Sequence, residues 1–467
     1  MKKGDIINLT IESLSGDGRT ISHLEGCVVF VTGGVPGDVV LARLIKLKKN
    51  YFEAVTEKIV TLSSLRTEPR CKHFGVCGGC RWQDLAYEAQ LGYKQQLVTD
   101  AFTHIGSFEK PDILPTMRCG DPYWYRNKME YTFSNYRWLT QVELTKDTTQ
   151  EQEVALGLHI PGRYYKVLNI DECFLQSELS PAILRKVRDE CRALGLTVYS
   201  TKTHTGYLRH LVIRDGKRTG ECMVNLVTTY SDEKSMVHLT NVLRREFSGI
   251  TTVVNNITDR KSMVAQGESE IIYYGNGAIT EKLGNYTFRI SANSFFQTNT
   301  LQAERLYSIV KDFADLKHSD VVYDLYCGTG TIAIFLSDAV EQVIGIDIVE
   351  SARTDAEKNA ELNGISNCFF YLGDLKEKLT RETDWQSKHP PPSVVVLDPP
   401  RSGVHPKGLE QVVNLRPDRI VYVSCNPGTQ ARDAKLLALG GYQLIKVQPV
   451  DMFPHTDHVE TVALFRI

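Results

Sequence analysis

The sequence has no long hydrophobic run. Across its 467 residues, no stretch approaches the roughly 18 consecutive apolar residues of a membrane-spanning helix. No secretory leader is predicted either, because Ile6 and Ile7 behind the N-terminal lysines give way at once to Asn8. Hydrophobic residues make up 42% and charged residues 24% of the chain, which excludes collagen-like and disordered proteins. We therefore expect a cytoplasmic globular protein with no membrane partner.

The sequence also lacks an excess of charge of either sign. Lys and Arg number 54 and Asp and Glu number 56, for a net charge of -2, which excludes a surface that is cationic throughout, as in histones. A local basic patch can still hold nucleic acid. Eleven cysteines are many for a chain expected in a reducing compartment, where clustered cysteines bind metal or react more often than they form disulfides.

The length predicts two to four domains, and changes in pattern divide the chain into three. Residues 1–62 contain short β-rich runs separated by glycine-containing turns, which predicts an OB-like β-barrel. The basic cluster of this region contains no acidic residue and fits a surface that follows a chain of phosphates. It comprises Arg43, Lys46, Lys48 and Lys49. A solvated loop between strands is the alternative.

Residues 63–285 have a mixed pattern that predicts an α+β central domain. Residues 84–106 have helical composition, and we expect this helix to pack on the C-terminal domain. A polar insertion occupies residues 145–152. Strands are predicted at 128–134, 154–159, 208–214, 221–228 and 252–256.

Residues 286–467 alternate short apolar runs with helical segments, which predicts a doubly wound, mostly parallel sheet covered by helices on both faces. The strands are predicted at 321–325, 343–346, 368–372, 394–397 and 420–423, and the helices at 331–337, 350–362, 406–413 and 429–439. The last two strands, near 442–450 and 458–466, have no helix-length segment between them, so we expect an antiparallel pair. This ending resembles that of the class I methyltransferases.

A glycine-containing loop follows the first strand of this sheet. The loop supplies four candidate cofactor residues, Tyr326, Gly328, Gly330 and Thr331. Glycines let the backbone approach a ligand at the carboxyl ends of parallel strands. Asp347 ends the next strand, at about the spacing where an acid binds ribose hydroxyls. Asp374 ends the third strand, where it could contact an adenine amino group.

An NAD site would give a similar pattern. The fourth strand separates the two interpretations, because Asp398 begins an Asp-Pro-Pro-Arg segment. This segment resembles the substrate-facing corner of S-adenosylmethionine-dependent methyltransferases. Each acid taken alone could be a helix cap or a turn residue, but their occurrence at successive strand ends favours a cofactor site.

The fifth strand runs into Ser-Cys-Asn-Pro, which places Cys425 at the same edge of the sheet. Such a cysteine is often only a buried small hydrophobe, but a helix beginning near residue 429 would stabilise its nucleophilic thiolate. Uracil C5 is activated when a thiolate adds at C6, and a base must then remove the C5 proton. Glu460 leads into the last strand and is the candidate base; a strand-edge carboxylate without a special role is the alternative.

The chain carries four motifs in order: Asp-Leu-Tyr-Cys-Gly-Thr-Gly, Leu-Asp-Pro-Pro-Arg-Ser-Gly, Tyr-Val-Ser-Cys-Asn-Pro and Phe-Pro-His-Thr-Asp-His-Val-Glu. Together they resemble the RNA 5-methyluridine methyltransferases, which include 23S rRNA enzymes and the tRNA T-loop enzyme. The resemblance spans nearly the whole chain and implies an N-terminal TRAM domain, with Cys425 as nucleophile and Glu460 as base. It also implies cofactor contacts from Gln297, Tyr326, Asp347 and Asp398. Some relatives have Glu where this chain has Asp347.

Three cysteines lie within one short loop, Cys71, Cys77 and Cys80, with two glycines that permit a tight turn. Cys173 is the best candidate for a fourth ligand. Four thiolates suit zinc or a [4Fe-4S] cluster, and the spacing alone leaves both open. The family resemblance favours the iron–sulfur cluster, because the rRNA branch carries one with this pattern. A radical S-adenosylmethionine enzyme is the rival, but its usual C-x3-C-x2-C spacing differs from the spacing here.

The segment at 123–128, Tyr-Trp-Tyr-Arg-Asn-Lys, interleaves aromatic and cationic residues. Such a mixture stacks splayed bases and holds phosphates, so Arg126 and Lys128 are candidate RNA contacts. Core packing would explain the aromatic residues equally well. Chemistry at uracil C5 requires a target nucleotide that is single-stranded or flipped out of a duplex.

These features predict a monomeric enzyme that transfers a methyl group from S-adenosylmethionine to C5 of a specific uridine in 23S rRNA. The tRNA T-loop is the alternative substrate. A catalytically silent RNA-binding or assembly factor is the alternative class of protein. The presence of both Cys425 and Glu460 argues against that class, because a binding protein does not need the pair.

Overall fold

The computed structural model of the protein describes residues 1–140, 143, 154–379 and 386–467. The polar insertion predicted at 145–152 lies outside the described residues. Within these ranges the chain forms sheets of six, seven, two and seven strands. No helix of the described ranges is long and apolar enough to cross a membrane.

The N-terminal region is a barrel-like, six-stranded sheet with the order β1-β5-β6-β4-β3-β2. Its strands are β1 (Ile6–Thr10), β2 (Ser13–Leu14), β3 (Thr20–Leu24), β4 (Cys27–Thr32), β5 (Val39–Leu47) and β6 (Tyr51–Thr61). Side chains that alternate along the strands, such as Leu9, Val29 and Val40, form its buried core. The short β2 and the polar β3 were not predicted from the sequence, because neither carries a continuous apolar run.

Helix α1 (Tyr87–Asp100) continues as a π-helical turn, Ala101–Ile105. Val98, Ala101 and Phe102 from this segment are buried in the same apolar core as the strands of the C-terminal sheet. The segment that links the barrel to the central region therefore packs on the C-terminal sheet.

The central region is a seven-stranded sheet with the order β13-β12-β11-β10-β7-β8-β9. The strands are β7 (Lys128–Ser134), β8 (Ala155–Ile160), β9 (Arg163–Asn169), β10 (Leu208–Asp215), β11 (Cys222–Thr228), β12 (Ile250–Ile257) and β13 (Ser269–Tyr274). Helices α2 (Leu179–Ala193) and α3 (Glu233–Glu246) pack on one face through a shared apolar core. A hairpin of β14 (Ala278–Leu283) and β15 (Tyr286–Ser291) follows.

The C-terminal sheet has the order β18-β17-β16-β19-β20-β22-β21. Its strands are β16 (Val321–Leu325), β17 (Gln342–Asp347), β18 (Cys368–Leu372), β19 (Val394–Leu397), β20 (Arg419–Ser424), β21 (Gln443–Val450) and β22 (Glu460–Arg466). Its helices are α4 (Thr300–Ala314), α5 (Thr331–Leu336), α6 (Glu350–Leu362), α7 (Leu375–Lys378), α8 (Pro406–Leu415) and α9 (Pro427–Leu439). The first five strands are parallel, and β22 pairs antiparallel with both β20 and β21. This topology confirms the predicted doubly wound fold with an antiparallel ending.

Candidate active site

A cavity of about 830 Å³ lies at the carboxyl ends of the C-terminal strands. Its walls contain eight of the ten predicted catalytic and cofactor residues, all except Gly330 and Asp374. The eight residues are Gln297, Tyr326, Gly328, Thr331, Asp347, Asp398, Cys425 and Glu460. The structure therefore brings together side chains that are more than 160 positions apart in the chain, at the edge where α/β sheets bind their ligands.

The glycine loop is fixed by the carboxylate of Asp347. Its two oxygens accept hydrogen bonds from the Gly328 N–H at 2.9 Å and from the Val349 N–H at 2.8 Å. Gly328 has φ +53, and a Cβ there would meet nothing within 4 Å, so the backbone is open toward the cavity. A Cβ on Gly330 would lie 2.9 Å from the ring of Phe370, so that glycine serves helix–sheet packing and does not line the cavity.

Tyr326 adopts a left-handed backbone conformation, with φ +70, between strand β16 and the glycines. This conformation costs a residue with a side chain about 1–2 kcal/mol, and it is held by the hydrogen bond from the Tyr326 N–H to the Ile346 carbonyl at 2.9 Å. Burial, with a smaller contribution from the charge of Asp374, raises the pKa of the Tyr326 phenol to about 12. Asp374 is half-buried beside this tyrosine and does not line the cavity.

Cys425 and Glu460 lie at the end of one strand ladder. Ser424 and Thr461 form the last pair between β20 and β22, Cys425 directly follows Ser424, Glu460 directly precedes Thr461, and both line the cavity. Asn426 then caps helix α9, since its side-chain oxygen accepts the Gly428 N–H at 3.0 Å. The nucleophile and base candidates therefore lie at the adjoining ends of two neighbouring strands.

Burial dominates the electrostatics of this pair. It raises the pKa of the Glu460 carboxyl to about 8, and the charge of Asp398 adds to the shift. Burial and then the charge of Glu460 raise the pKa of the Cys425 thiol to about 11. The sequence led us to expect a thiolate stabilised by the start of α9, but desolvation outweighs that effect. The cavity thus holds a protonated thiol beside a carboxyl that titrates near neutral pH.

Arg401 is a member of this site that the sequence reasoning did not single out. Its charge lowers the pKa values of both Cys425 and Glu460 and so opposes the effect of burial. Its carbonyl accepts hydrogen bonds from the Asn426 amide and the Thr429 hydroxyl, both at 3.2 Å. The signal was present in the sequence, because this arginine directly follows the Asp-Pro-Pro segment.

A buried polar network fixes residues 451–453, which precede Glu460 in the chain. The ammonium of Lys94, with 0% of its side chain exposed, lies 2.6 Å from the Asp451 carboxylate and 3.0 Å from the Phe453 carbonyl. The Tyr87 hydroxyl donates to the other Asp451 oxygen at 2.8 Å. This network was not predicted, because Lys94 and Asp451 are 357 positions apart.

The four predicted metal-ligating cysteines line one small cavity. They are Cys71, Cys77, Cys80 and Cys173. All four are free of disulfides, and burial raises the pKa values of Cys77 and Cys80 to about 12. Hydrogen bonds at 3.3 Å reach the Cys77 sulfur from the Gly79 N–H and the Cys80 sulfur from the Gln83 amide. Among the described residues, no group of three or more His, Cys, Asp and Glu side chains could hold a metal ion.

Acidic residues of a neighbouring strand lie beside the basic cluster of the barrel. The register of β5 and β6 sets Arg43 against Glu57, at 2.5 Å, and Lys46 against Glu53, at 2.8 Å. The cluster itself contains no acidic residue, as the sequence shows, but strand β6 places two glutamates next to it. Lys48, in the turn after β5, is exposed.

The other RNA candidates line a second cavity, of about 290 Å³, beside the active site. Lys128 forms an ion pair with Glu130 there, and the Arg126 guanidinium donates to the Lys128 carbonyl at 3.3 Å. Thr298 lines both this cavity and the active-site cavity. Arg126 and Lys128 therefore line a cavity that adjoins the active-site cavity.

Comparison with known proteins gives a consistent result. Residues 239–466 match a family model described as tRNA (uracil-5-)-methyltransferase. The chain is 46% identical to an uncharacterized RNA methyltransferase of Chlorobaculum tepidum, over 99% of this chain and 97% of that protein. A second such protein, from Bacteroides thetaiotaomicron, is 42% identical over 97% of this chain and 100% of its own length.

A solved structure is similar over nearly the whole fold. It is the tRNA (uracil-54, C5)-methyltransferase of Pyrococcus abyssi in complex with S-adenosyl-L-homocysteine. Its TM-score to this chain is 0.74, with 28% sequence identity, and the match covers 98% of this chain and 100% of that one. The similarity therefore extends beyond the C-terminal sheet to the barrel and the central region.

Proposed function

This chain belongs to the RNA 5-methyluridine methyltransferase family, and we propose that it methylates C5 of one specific uridine in 23S rRNA through a covalent enzyme–RNA adduct. Members of this family are S-adenosylmethionine-dependent enzymes that act on RNA. The observation that carries the proposal is that Cys425 and Glu460 line one cavity at the adjoining ends of β20 and β22.

In the proposed mechanism Cys425 acts first. Its thiol loses a proton to water in the cavity, and the sulfur adds to uracil C6, which makes C5 a carbon nucleophile. S-adenosylmethionine, when bound, supplies an electrophilic methyl group, which C5 takes up as the bond from methyl to sulfur breaks. Glu460 then accepts the C5 proton, and the bond between the Cys425 sulfur and C6 breaks to release 5-methyluridine.

The electrostatics support this division of roles. A base works best when its pKa lies near the operating pH, and that of Glu460 is about 8. Arg401 lowers the pKa of Cys425, which favours the thiolate. We propose that the donor is held by Gln297, Tyr326, Gly328, Thr331, Asp347 and Asp398, with Gly330 shaping the loop and Asp374 supporting Tyr326 from outside the cavity.

We propose that the four clustered cysteines hold a [4Fe-4S] cluster. Zinc would require sulfurs about 2.3 Å from one ion, whereas a cluster spreads its thiolates because each binds a different iron. The four half-buried, disulfide-free thiols line one cavity but do not form a ready metal site among the described residues, and the preference for the cluster over zinc rests on the family resemblance. The cluster would brace the cysteine loop and take no part in methyl transfer. Visible absorption of anaerobically purified protein, compared with Cys77→Ser, tests this, because zinc is colourless.

The RNA partner is proposed on the family resemblance, since barrel and cysteine cluster occur together in its 23S rRNA branch. Arg43, Lys46, Lys48, Arg126 and Lys128 are the proposed phosphate contacts. A tRNA target is the second candidate, favoured by the whole-length similarity to a tRNA enzyme.

Mass mapping of rRNA and tRNA from a deletion strain decides between the two targets. We expect one 23S rRNA uridine to lose its C5 methyl group and to regain it with labelled S-adenosylmethionine and purified protein. Loss of methyl only from the tRNA T-loop would establish the second candidate. An unchanged methylation map, with no transfer in vitro, would favour the silent binding factor.

A further inference from the structure

The central sheet has two chemically different faces. Along β7, Met129, Tyr131 and Phe133 belong to the apolar core under helices α2 and α3. Lys128, Glu130 and Thr132 alternate with them and therefore point to the opposite face. Strand β10 continues this second face, because Arg214 pairs with Lys128 and His210 with Thr132. This part of the second face therefore combines the charged Lys128, Glu130 and Arg214 with Thr132, His210 and the apolar Val212.

Several polar atoms on this side of the molecule are buried without partners. The His210 Nε2, the Arg214 Nε and the Thr298 Oγ1 have no hydrogen-bond partner among the described residues. Buried polar groups in native proteins are nearly always hydrogen-bonded, so such a group calls for a ligand or ordered water. Of the three residues, Thr298 lines a cavity, whereas Arg214 also donates through its Nη2 to the carbonyls of Ala292 and Ser294.

The polar face begins at the active site. Thr298 lines the active-site cavity and also the adjoining cavity that contains Arg126 and Lys128. The cations at this end outnumber the single acid of that cavity, Glu130. A phosphate backbone entering the active site from this side would therefore meet positive charge.

At its far end the face holds an aromatic pocket of about 160 Å³. Tyr136 and Tyr165 stand at its rim, 53% and 45% exposed, with ring centroids 6.0 Å apart at 88°. Tyr199 lines the pocket and is held by Arg209, whose guanidinium carbon lies 4.1 Å from the ring centroid. Thr201 and Asn135 add polar groups to the wall. The pocket is smaller than the roughly 300–1,000 Å³ of sites for drug-sized ligands, and its size suits a single ring system.

We propose that this pocket binds an unpaired base of the RNA substrate, flanking the target uridine, while the intervening backbone crosses Arg126 and Lys128. Two exposed tyrosines offer stacking surfaces to any base, and the cationic approach from the active site selects a phosphate chain over a peptide. The inference rests on the proposed function only in assigning the bound strand to the substrate, because the pocket itself would hold single-stranded RNA in either case.

The test measures binding and turnover separately. Tyr136→Ala, Tyr165→Ala and their double variant are compared with Tyr136→Phe, which keeps the ring, and with Tyr230→Ala. Tyr230 is a matched control, since it is also 53% exposed but does not line the pocket. Fluorescence anisotropy with labelled oligoadenylate of about 12 nucleotides gives the affinity, and labelled methyl transfer to unmodified rRNA gives KM and kcat.

We expect the double alanine variant to bind the oligonucleotide roughly ten-fold to a hundred-fold more weakly and to raise KM for rRNA with kcat nearly unchanged. Tyr136→Phe and Tyr230→Ala should match the wild type. Affinity of the double variant within about two-fold of the Tyr230→Ala control, or no wild-type binding at all, would overturn the inference. Failure of methyl transfer by the wild type with the binding loss intact would count against the proposed function and leave the base pocket standing.

Discussion

The two ends of the active-site cavity differ in the surroundings of their ionisable side chains. At the glycine-loop end, the carboxylate of Asp347 is satisfied by two backbone N–H groups. At the reacting end, burial raises the pKa values of both Cys425 and Glu460. The first arrangement fixes a shape before a ligand arrives, whereas the second keeps the thiol protonated and brings the Glu460 carboxyl close to a change of protonation at neutral pH. Binding and chemistry should therefore be separable by mutation.

The strongest test of this separation is Cys425→Ala. Removing the proposed nucleophile should lower kcat by at least about 10⁴-fold, because the adduct to uracil C6 is formed by this thiol in the proposed mechanism. Affinity for S-adenosylhomocysteine, measured by calorimetry, should stay within a few-fold of the wild type, since the glycine loop is untouched. Substantial turnover by this variant would refute the covalent mechanism.

Glu460→Gln should be the next largest effect. The amide cannot accept the C5 proton, so turnover should fall about 10²–10⁴-fold, and the methylated RNA should remain attached to Cys425. A protein–RNA band that survives denaturing electrophoresis is the readout. The double variant with Cys425→Ala is the control and should give no band; a band in that control would assign the adduct to another residue.

Asp347→Ala should show the converse behaviour. It removes the acceptor of two backbone hydrogen bonds, each of which contributes about 0.5–1.5 kcal/mol or more. We expect the affinity for S-adenosylhomocysteine to fall about 10-fold to 100-fold, while kcat at saturating S-adenosylmethionine changes little. A large loss of kcat at saturation would show that the two ends of the cavity are coupled.

The smallest effect concerns stability and pH. The raised pKa of Glu460 means that the folded protein binds a proton that the unfolded chain releases above about pH 4.5. Stability from this group is therefore complete at low pH and is lost as pH rises through about 8. Glu460→Gln should match the wild type near pH 5 and exceed it by roughly 1–3 kcal/mol at pH 8, measured by urea unfolding. A difference independent of pH would contradict the buried carboxyl.

The strands that carry the site were predictable for a physical reason. A parallel sheet buried on both faces gives continuous apolar runs, and the predicted 321–325, 368–372 and 394–397 coincide with β16, β18 and β19. The site residues could then be predicted at the ends of these strands, because ligands bind where parallel strands end. Cys425 and Glu460 were proposed from chemistry, but their position at adjoining strand ends depends on the ladder between β20 and β22, which periodicity cannot supply.

Long-range partners were not predictable. Glu53 and Glu57 stand beside the basic cluster only because of the register of β5 and β6. Arg260 and Gln266, from the loop after β12, line the active-site cavity without any local motif. In both cases the contact joins residues of different structural elements, so the local sequence around either residue does not predict the contact.

Lys94 and Asp451 also set an order of assembly. The lysine is made early in synthesis, and its partner only 357 residues later. Glu460 lies in the final strand, just beyond that partner. Until Asp451 and β22 have been synthesised, Lys94 lacks its buried carboxylate partner and the cavity lacks the wall that Glu460 supplies. Helix α1 and the segment that leads into β22 therefore complete the site together.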